Sequence, residues 1–181
     1  MSKSGVICLW VLDPGQHSGI VSGRVWERGT SFERLNNVLE LEANTIEGDE
    51  HYQMRKLHES WQNFQYRCRL AGLPYEMVIE DFILTRLKSS ERSGISPVRV
   101  TSAFLGYRHG LADAYENGGF GPSRVVSPIF QTPSEALGAI SDARLREYGL
   151  WLPGTAHQHE RAALKHFCLR VKNRAKRVER Q

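Results

Sequence analysis

The first clear pattern in the chain is Val6-Ile7-Cys8-Leu9-Trp10-Val11-Leu12-Asp13-Pro14-Gly15, in which seven apolar residues run into an acidic turn. A continuous apolar run of this length predicts a strand that is buried on both faces of its sheet. Ranges 20–26 and 32–41 follow at short spacing and predict two more strands in an antiparallel meander. The next apolar run, 76–82, follows a helix and is predicted to lie parallel to the first strand.

The rest of the chain is mostly helical in pattern. A helix over 49–70 presents one apolar stripe at spacings of three and four residues, Met54, Leu57, Trp61, Phe64 and Cys68. Capping signals at Ser96-Pro97, Thr132 and Thr155 start three more helices, the last of them predicted over 156–175. A short fifth strand is predicted over 124–127. Together these elements indicate an α/β fold with a mixed five-stranded sheet, three antiparallel strands followed by parallel ones, flanked by helices.

Length and composition limit the class of protein. With 181 residues, 40% hydrophobic and 24% charged, the chain suits one soluble domain, predicted over 1–175 with a basic tail over 176–181. No apolar run approaches the roughly 18 residues that a membrane span needs, so no membrane partner is expected. Three widely spaced cysteines, Cys8, Cys68 and Cys168, are typical of buried thiols in a reducing cytoplasm.

The net charge of +4 is unevenly distributed along the chain. From residue 161 onward there are eight basic side chains and one acid, whereas the first 160 residues carry 16 basic and 19 acidic side chains. A basic block of this kind commonly contacts phosphate backbones, which predicts DNA contact by Arg161 and Lys165. The alternative is a solubilising helix end whose cations are favoured by the helix dipole.

Two acidic residues end apolar strands, Asp13 after the first and Glu80 after the fourth. A right-handed crossover places the fourth strand beside the first, so both carboxylates are expected at one edge of the sheet. Adjacent carboxylates repel and are tolerated when a hard cation neutralises them, which predicts a site for Mg²⁺, or alternatively Mn²⁺, suited to phosphodiester cleavage. Taken separately, Asp13 is also compatible with a simple turn, and Asp81 is expected at the surface.

The last predicted helix offers the third part of such a site. His157, His159 and Glu160 lie at its start and are candidate catalytic residues that complete the metal shell or act as a base. His157 and Glu160 share a face at a spacing of three residues, whereas His159 lies on an adjacent face and His166 follows one heptad later. These histidines are alternatively capping or surface residues, and a structural zinc site would lack cysteines at ligand spacing.

In this order, the motifs resemble those of the RuvC-like Holliday junction resolvases of the RNase H-like superfamily, particularly the forms carried by bacteriophages. Asp13-Pro14-Gly15 with Gly19 resembles the first motif, and Val78-Ile79-Glu80-Asp81-Phe82 resembles the second. Gln131-Thr132-Pro133-Ser134 and, later, His159-Glu160-Arg161-Ala162-Ala163-Leu164-Lys165-His166 resemble the C-terminal region of the phage forms. The resemblance covers nearly the whole chain. It implies a homodimer in the host cytoplasm that binds four-way DNA junctions and nicks two strands symmetrically.

One position departs from the family pattern. The final helix of the family usually carries an aspartate, often three residues after another Asp or a His. Counted from His159 this position is Ala162, and counted from His157 it is Glu160. In the second register the resemblance implies Glu160 as the last metal ligand, beside Asp13 and Glu80. In the first register the site lacks one carboxylate, which favours the alternative of a catalytically weakened junction-binding or nucleic-acid-binding protein on the same fold.

Further DNA contacts are predicted close to these motifs. Phe82 is predicted to be either a core residue or a wedge that stacks on an opened base. Cations of the polar segment that follows, and of the next helix, extend the surface that faces phosphates: Arg86, Lys88, Arg92, Arg99 and Arg108. A third hypothesis is a phosphate-binding protein of the actin-like ATPase class, because Asp13-Pro14-Gly15 precedes Ser18-Gly19. That class needs a second phosphate loop, which the sequence lacks.

Overall fold

The structure, a computed structural model, describes residues 5–81, 96–117 and 126–178. The described residues form a five-stranded sheet from β1 (Val6–Asp13), β2 (Ser18–Trp26), β3 (Glu40–Ile46), β4 (Tyr75–Glu80) and β5 (Ile129–Gln131). The strands lie in the order β3-β2-β1-β4-β5. β2 is antiparallel to β1 and to β3, whereas β4 is parallel to β1 and to β5. The predicted mixed sheet is confirmed, and so is the parallel placement of the fourth strand beside the first.

Helices cover both faces of this sheet in the described part of the chain. They are α1 (Ser31–Asn36), α2 (Glu50–Leu70), α3 (Ser96–Asn117), α4 (Pro133–Ala139), α5 (Asp142–Glu147) and α6 (Gln158–Val178), with a 3₁₀ turn over Thr155–His157. α6 packs on one face of the sheet, and α2 with α3 covers the other. None of the described helices combines the length and the apolar content needed to cross a membrane.

β1 is buried along its whole length because its successive side chains enter two different cores. On one face Leu9 belongs to a cluster that includes Phe167 of α6. On the other face Trp10 packs against Trp61 of α2 and Phe104 of α3, with ring centroids 5.5 and 5.7 Å apart. A strand between two helical layers needs apolar residues at every position, which explains the unbroken run at the start of the chain.

α2 shows most of the predicted apolar stripe, but a polar residue occupies one buried position. Met54 is only half-buried, whereas Gln53 is 1% exposed. The Gln53 side-chain amide donates to the carbonyl oxygens of Gln16 at 2.8 Å and Gly48 at 2.9 Å, and it accepts a 2.6 Å hydrogen bond from the Ser18 hydroxyl. One amide therefore ties the β1–β2 hairpin to the start of α2. The stripe residues that are buried as predicted are Leu57, Trp61, Phe64 and Cys68.

The prediction of one strand over 32–41 is wrong. The Thr30 hydroxyl accepts from the backbone N–H of Glu33 at 3.3 Å, and the Glu33 carboxylate accepts from the backbone N–H of Thr30 at 2.7 Å. This capping box starts α1, and the third strand begins only afterwards, at Glu40. The capping box provides hydrogen bonds for the first backbone N–H groups of the helix, and this favours a helix over the strand that the loose apolar alternation predicts.

Two other element boundaries also differ from the predictions. Residues 124 and 125 of the strand predicted over 124–127 lie outside the described residues, and the prediction is wrong for 126 and 127. These are not in a strand, and β5 starts at Ile129, opposite Val78 of β4. The last helix was predicted to start with Thr155 as its cap. Instead the chain enters through Gly154, at a φ of 88°, into the 3₁₀ turn, so α6 starts at Gln158. α6 then continues to Val178, past the predicted end at 175.

Candidate active site

The carboxylates of Asp13 and Glu80, called here the carboxylate pair, meet at one edge of the sheet. β1 and β4 are parallel with Leu12 opposite Ile79, so the next residue of each strand emerges at the same end. The two carboxyl groups are close enough to share a proton. This is the carboxyl-terminal edge of the parallel strands, where α/β proteins commonly bind ligands. The topology therefore brings the two acids together as predicted.

A buried histidine of α6 holds Glu80 in place. His166 is 1% exposed, and its Nε2 lies 3.0 Å from Oε2 of Glu80. Its Nδ1 lies 3.2 Å from Oε1 of Gln131, the last residue of β5. The sequence alone does not predict this contact of His166. Its spacing of seven residues from His159 is the signal that places both rings on one face of the helix.

Ionisation differs between the two members of the pair. Burial raises the pKa of Asp13 to about 7, opposed by the hydrogen bond with His159 and reinforced by the charge of Glu80. Burial would also raise the pKa of Glu80, but its hydrogen bonds with His166 and Asp13 outweigh this effect and lower the pKa below the usual range. Near neutral pH the pair therefore retains a proton, mainly on Asp13. A divalent cation would take the place of that proton.

The start of α6 lies directly over the end of β1. Nδ1 of His159 is 3.5 Å from Oδ2 of Asp13, and this contact raises the pKa of His159. Its ring also lies beside that of His17, with centroids 5.7 Å apart. Gly19 of β2 permits this approach, because a Cβ atom there would lie 2.2 Å from the carbonyl oxygen of His159. The glycine of the first motif thus has a packing role that brings His159 to the carboxylate pair.

His157 and Glu160 form a separate pair beside the main site. Nδ1 of His157 lies 3.3 Å from Oε1 of Glu160, which is 5% exposed. Burial would raise the pKa of Glu160, yet the nearby Thr45 hydroxyl and His157 lower it. Since Thr45 belongs to β3, Glu160 lies near that strand. The role of Glu160 as a metal ligand stays a prediction.

The predicted DNA-binding cations lie in different surroundings. Arg99 is exposed and makes a 2.9 Å ion pair with Glu50. Arg108 is 7% exposed and lies over the rings of Trp61 and Phe104, so it offers little surface to DNA. The other predicted contacts of the central segment lie outside the described residues: Phe82, Arg86, Lys88 and Arg92.

The two cations predicted at the start of α6 both contact the protein itself. Arg161 donates to the carbonyl oxygen of Leu152 at 2.9 Å and to that of Gly154. Lys165 makes a 2.7 Å ion pair with Asp142 of α5. These contacts hold the segment between α5 and α6 against the helix.

The donor set suits one hydrated ion better than a site built wholly from protein ligands. Among residues 5–81, 96–117 and 126–178, no group of three or more His, Cys, Asp or Glu side chains has the geometry of a metal site. Magnesium commonly takes one or two protein carboxylates and completes its shell with water and phosphate oxygens. The two carboxylates of the pair therefore fit a hydrated Mg²⁺ or Mn²⁺ ion.

A mixed five-stranded sheet with acids ending β1 and β4 defines an RNase H-like fold. Two solved structures are similar to the chain over 95% of its length and 96% of theirs. One is Thermus thermophilus RuvC in complex with a Holliday junction substrate, with a TM-score of 0.54 and 14% identity. The other is Thermus thermophilus RuvC, with a TM-score of 0.53 and 15% identity. No protein-family model and no curated protein matches the chain. The chain has a RuvC-like fold.

Proposed function

We propose that this protein is a metal-dependent, structure-selective DNA endonuclease that resolves four-way or other branched junctions by phosphodiester hydrolysis. The observation that carries the proposal is the contact of Asp13 with Glu80 at the carboxyl ends of neighbouring parallel strands. The similar fold of a RuvC solved with a Holliday junction substrate supports branched DNA as the substrate class. A homodimer, which would place two such sites on one junction, is part of the same proposal.

The residues of the site have different roles in this proposal. Asp13 and Glu80 would hold Mg²⁺ or Mn²⁺, which supplies activation of a water molecule and stabilisation of the leaving oxygen. His166 orients the Glu80 carboxylate from its buried position, and outer contacts of this kind set the geometry of a metal ligand. His159 is placed to hold a proton beside Asp13, because its pKa is raised by that contact.

A second candidate function is a junction-binding protein that cuts weakly or not at all. Ala162 favours it, since α6 carries no carboxylate at that position, which lies three residues after His159. Glu160, the nearest described acid on the helix, contacts His157 and lies near Thr45 of β3. Such a protein would bind branched DNA tightly and with strong dependence on salt, but without metal-stimulated cleavage.

Cleavage of a labelled four-way junction separates these functions. The purified protein is incubated with Mg²⁺, Mn²⁺ or EDTA, beside Asp13→Asn, Glu80→Gln and the control Asp81→Asn, whose side chain is exposed. We expect paired, metal-dependent nicks from the wild type and the control, and none from the two site variants, which retain junction affinity.

Other results of this experiment would contradict the proposed site or favour the alternative function. An undiminished cleavage rate in both Asp13→Asn and Glu80→Gln would contradict the proposed site. Binding by the wild type without cutting in either metal would favour the junction-binding alternative. If neither binding nor cutting is seen, forks, flaps and RNA–DNA hybrids are the next substrates, and sedimentation of the free protein tests the homodimer separately.

A further inference from the structure

Most described cations of the last helix face the rest of the domain, not solvent. Arg170 pairs with Glu76 at 2.7 Å, and Arg174 pairs with both Glu76 and Glu27. Lys172 donates to the carbonyl oxygen of Ala139 at 3.1 Å. Lys165 and Arg161 are held by the α5–α6 connection, as described above. The basic block seen in the sequence is therefore largely committed within the fold, and DNA contacts are better sought among cations with free donors.

One such cation lies on α5, beside the start of α6. The guanidinium carbon of Arg146 is 4.0 Å from the ring centroid of Trp151, and that of Arg161 is 4.8 Å from the same centroid. Trp151 is half-buried and packs against the core, so its ring is a fixed platform. A guanidinium over an indole keeps its planar edge of N–H donors available for a phosphate.

The donors of Arg146 are unused within the described chain. Arg146 is exposed and makes no hydrogen bond or ion pair with a described residue, whereas its neighbour Arg144 makes a 2.6 Å ion pair with Glu147. Asp142, an acid near Arg146, is already paired with Lys165. Lys165, Arg146 and Arg161 thus all lie near the Asp142 carboxylate, which leaves a local excess of positive charge.

We propose that Arg146, held on Trp151, is a phosphate-binding contact for the branched DNA substrate. The inference rests on the proposed function and adds a contact of the substrate backbone beside the start of α6, where Arg146 and Arg161 share one ring. Arg161 follows His159 by two residues and therefore emerges on the opposite side of α6, so the contacted phosphate is not the one that is cut.

The stacking of Arg146 on Trp151 should affect both the affinity for DNA and its dependence on salt. An arginine already fixed on a ring loses less side-chain freedom when it binds a phosphate. Loss of one phosphate contact also lowers the slope of log affinity against log salt by about 1, which a purely structural residue does not do. The test therefore measures junction affinity by fluorescence anisotropy over a range of salt concentrations.

The variants are Arg146→Ala, Arg146→Lys and the control Arg144→Ala, on the same helix. We expect Arg146→Ala to weaken junction binding roughly tenfold and to lower the salt slope by about 1. Arg146→Lys should bind with intermediate affinity and keep the slope, because it keeps the charge but loses the stacked fork. Arg144→Ala should match the wild type. Methylphosphonates placed one at a time along the junction strands should reveal one position at which the difference between Arg146→Ala and the wild type disappears.

The outcomes separate this inference from the proposed function. A wild type that binds and cuts junctions, with Arg146→Ala unchanged in affinity and slope, would overturn the inference alone. A lowered melting temperature with an unchanged slope would show that the stack only supports the α5–α6 connection, and would also overturn it. A wild type that binds no branched DNA would remove the proposed function and this contact with it.

Discussion

The close packing of α6 on β2 predicts that Gly19→Ala damages both stability and catalysis. A Cβ atom at Gly19 would lie 2.2 Å from the carbonyl oxygen and 2.4 Å from the carbonyl carbon of His159, both backbone atoms. Ordinary contact begins near 3.4 Å, so the first turn of α6 must retreat by roughly 1.2 Å. Overpacking of this kind costs about 1–3 kcal/mol of stability. The contact between His159 and Asp13 is already 3.5 Å and would be lost with the same movement.

Two measurements test this reasoning against a matched substitution. Urea denaturation should give a free energy of unfolding about 1–3 kcal/mol below that of the wild type, and single-turnover junction cleavage should slow about 100-fold. Gly106→Ala is the control, since a Cβ atom there meets nothing within 4 Å on α3 and should stabilise the helix by about 0.4–1 kcal/mol. A Gly19→Ala protein with wild-type stability and rate would refute the packing role assigned to this glycine.

Three further predictions concern the same site. The folded-state pKa of Asp13, about 7, exceeds its ordinary value of 3.8, so the wild type loses stability as the pH rises between these values. In urea denaturation, the free energy of unfolding of Asp13→Asn should therefore exceed that of the wild type by on the order of 2–4 kcal/mol at pH 8, and the two should become similar near pH 4. An equal difference at both pH values would contradict the raised pKa of Asp13. His166→Ala removes the 3.0 Å partner of Glu80 and should lower Mn²⁺ affinity about tenfold by calorimetry, whereas unchanged affinity would mean that Glu80 needs no support. Ala162→Asp adds a carboxylate on the helix face between His159 and His166, so Mn²⁺ affinity should rise; no gain would place that face away from the ion.

The sheet could be predicted from residue type and order, whereas the shortest elements could not. The run from Val6 to Leu12 has no polar residue. Among strands, one that packs against a core on each face needs apolar side chains at every position. α1 has six residues and β5 has three, too few for a periodicity to be visible. For α1 the capping box of Thr30 and Glu33 was the one available local signal, and the apolar residues around it were assigned to a strand instead.

The acids of the site could be predicted, but their surroundings depend on tertiary structure. Asp13 and Glu80 each end an apolar strand, and that position alone marks them. His166 meets Glu80 across 86 residues of sequence, so its contact depends on how α6 lies across the sheet. The surroundings of Glu160 depend in turn on where β3 lies, and the alternation over 32–41 predicts that strand several residues too early.

The buried amide of Gln53 separates two properties that usually vary together. Its hydrogen bonds to Gln16 and Ser18 fix the orientation of the hairpin after Asp13. The neighbouring apolar side chains of α2 instead stabilise the helix by filling the core. A leucine in its place would preserve that volume and leave the hairpin unaligned. Substitution of the apolar residues of this layer is therefore limited by volume, whereas substitution of Gln53 acts on the alignment of the hairpin beside the acidic edge.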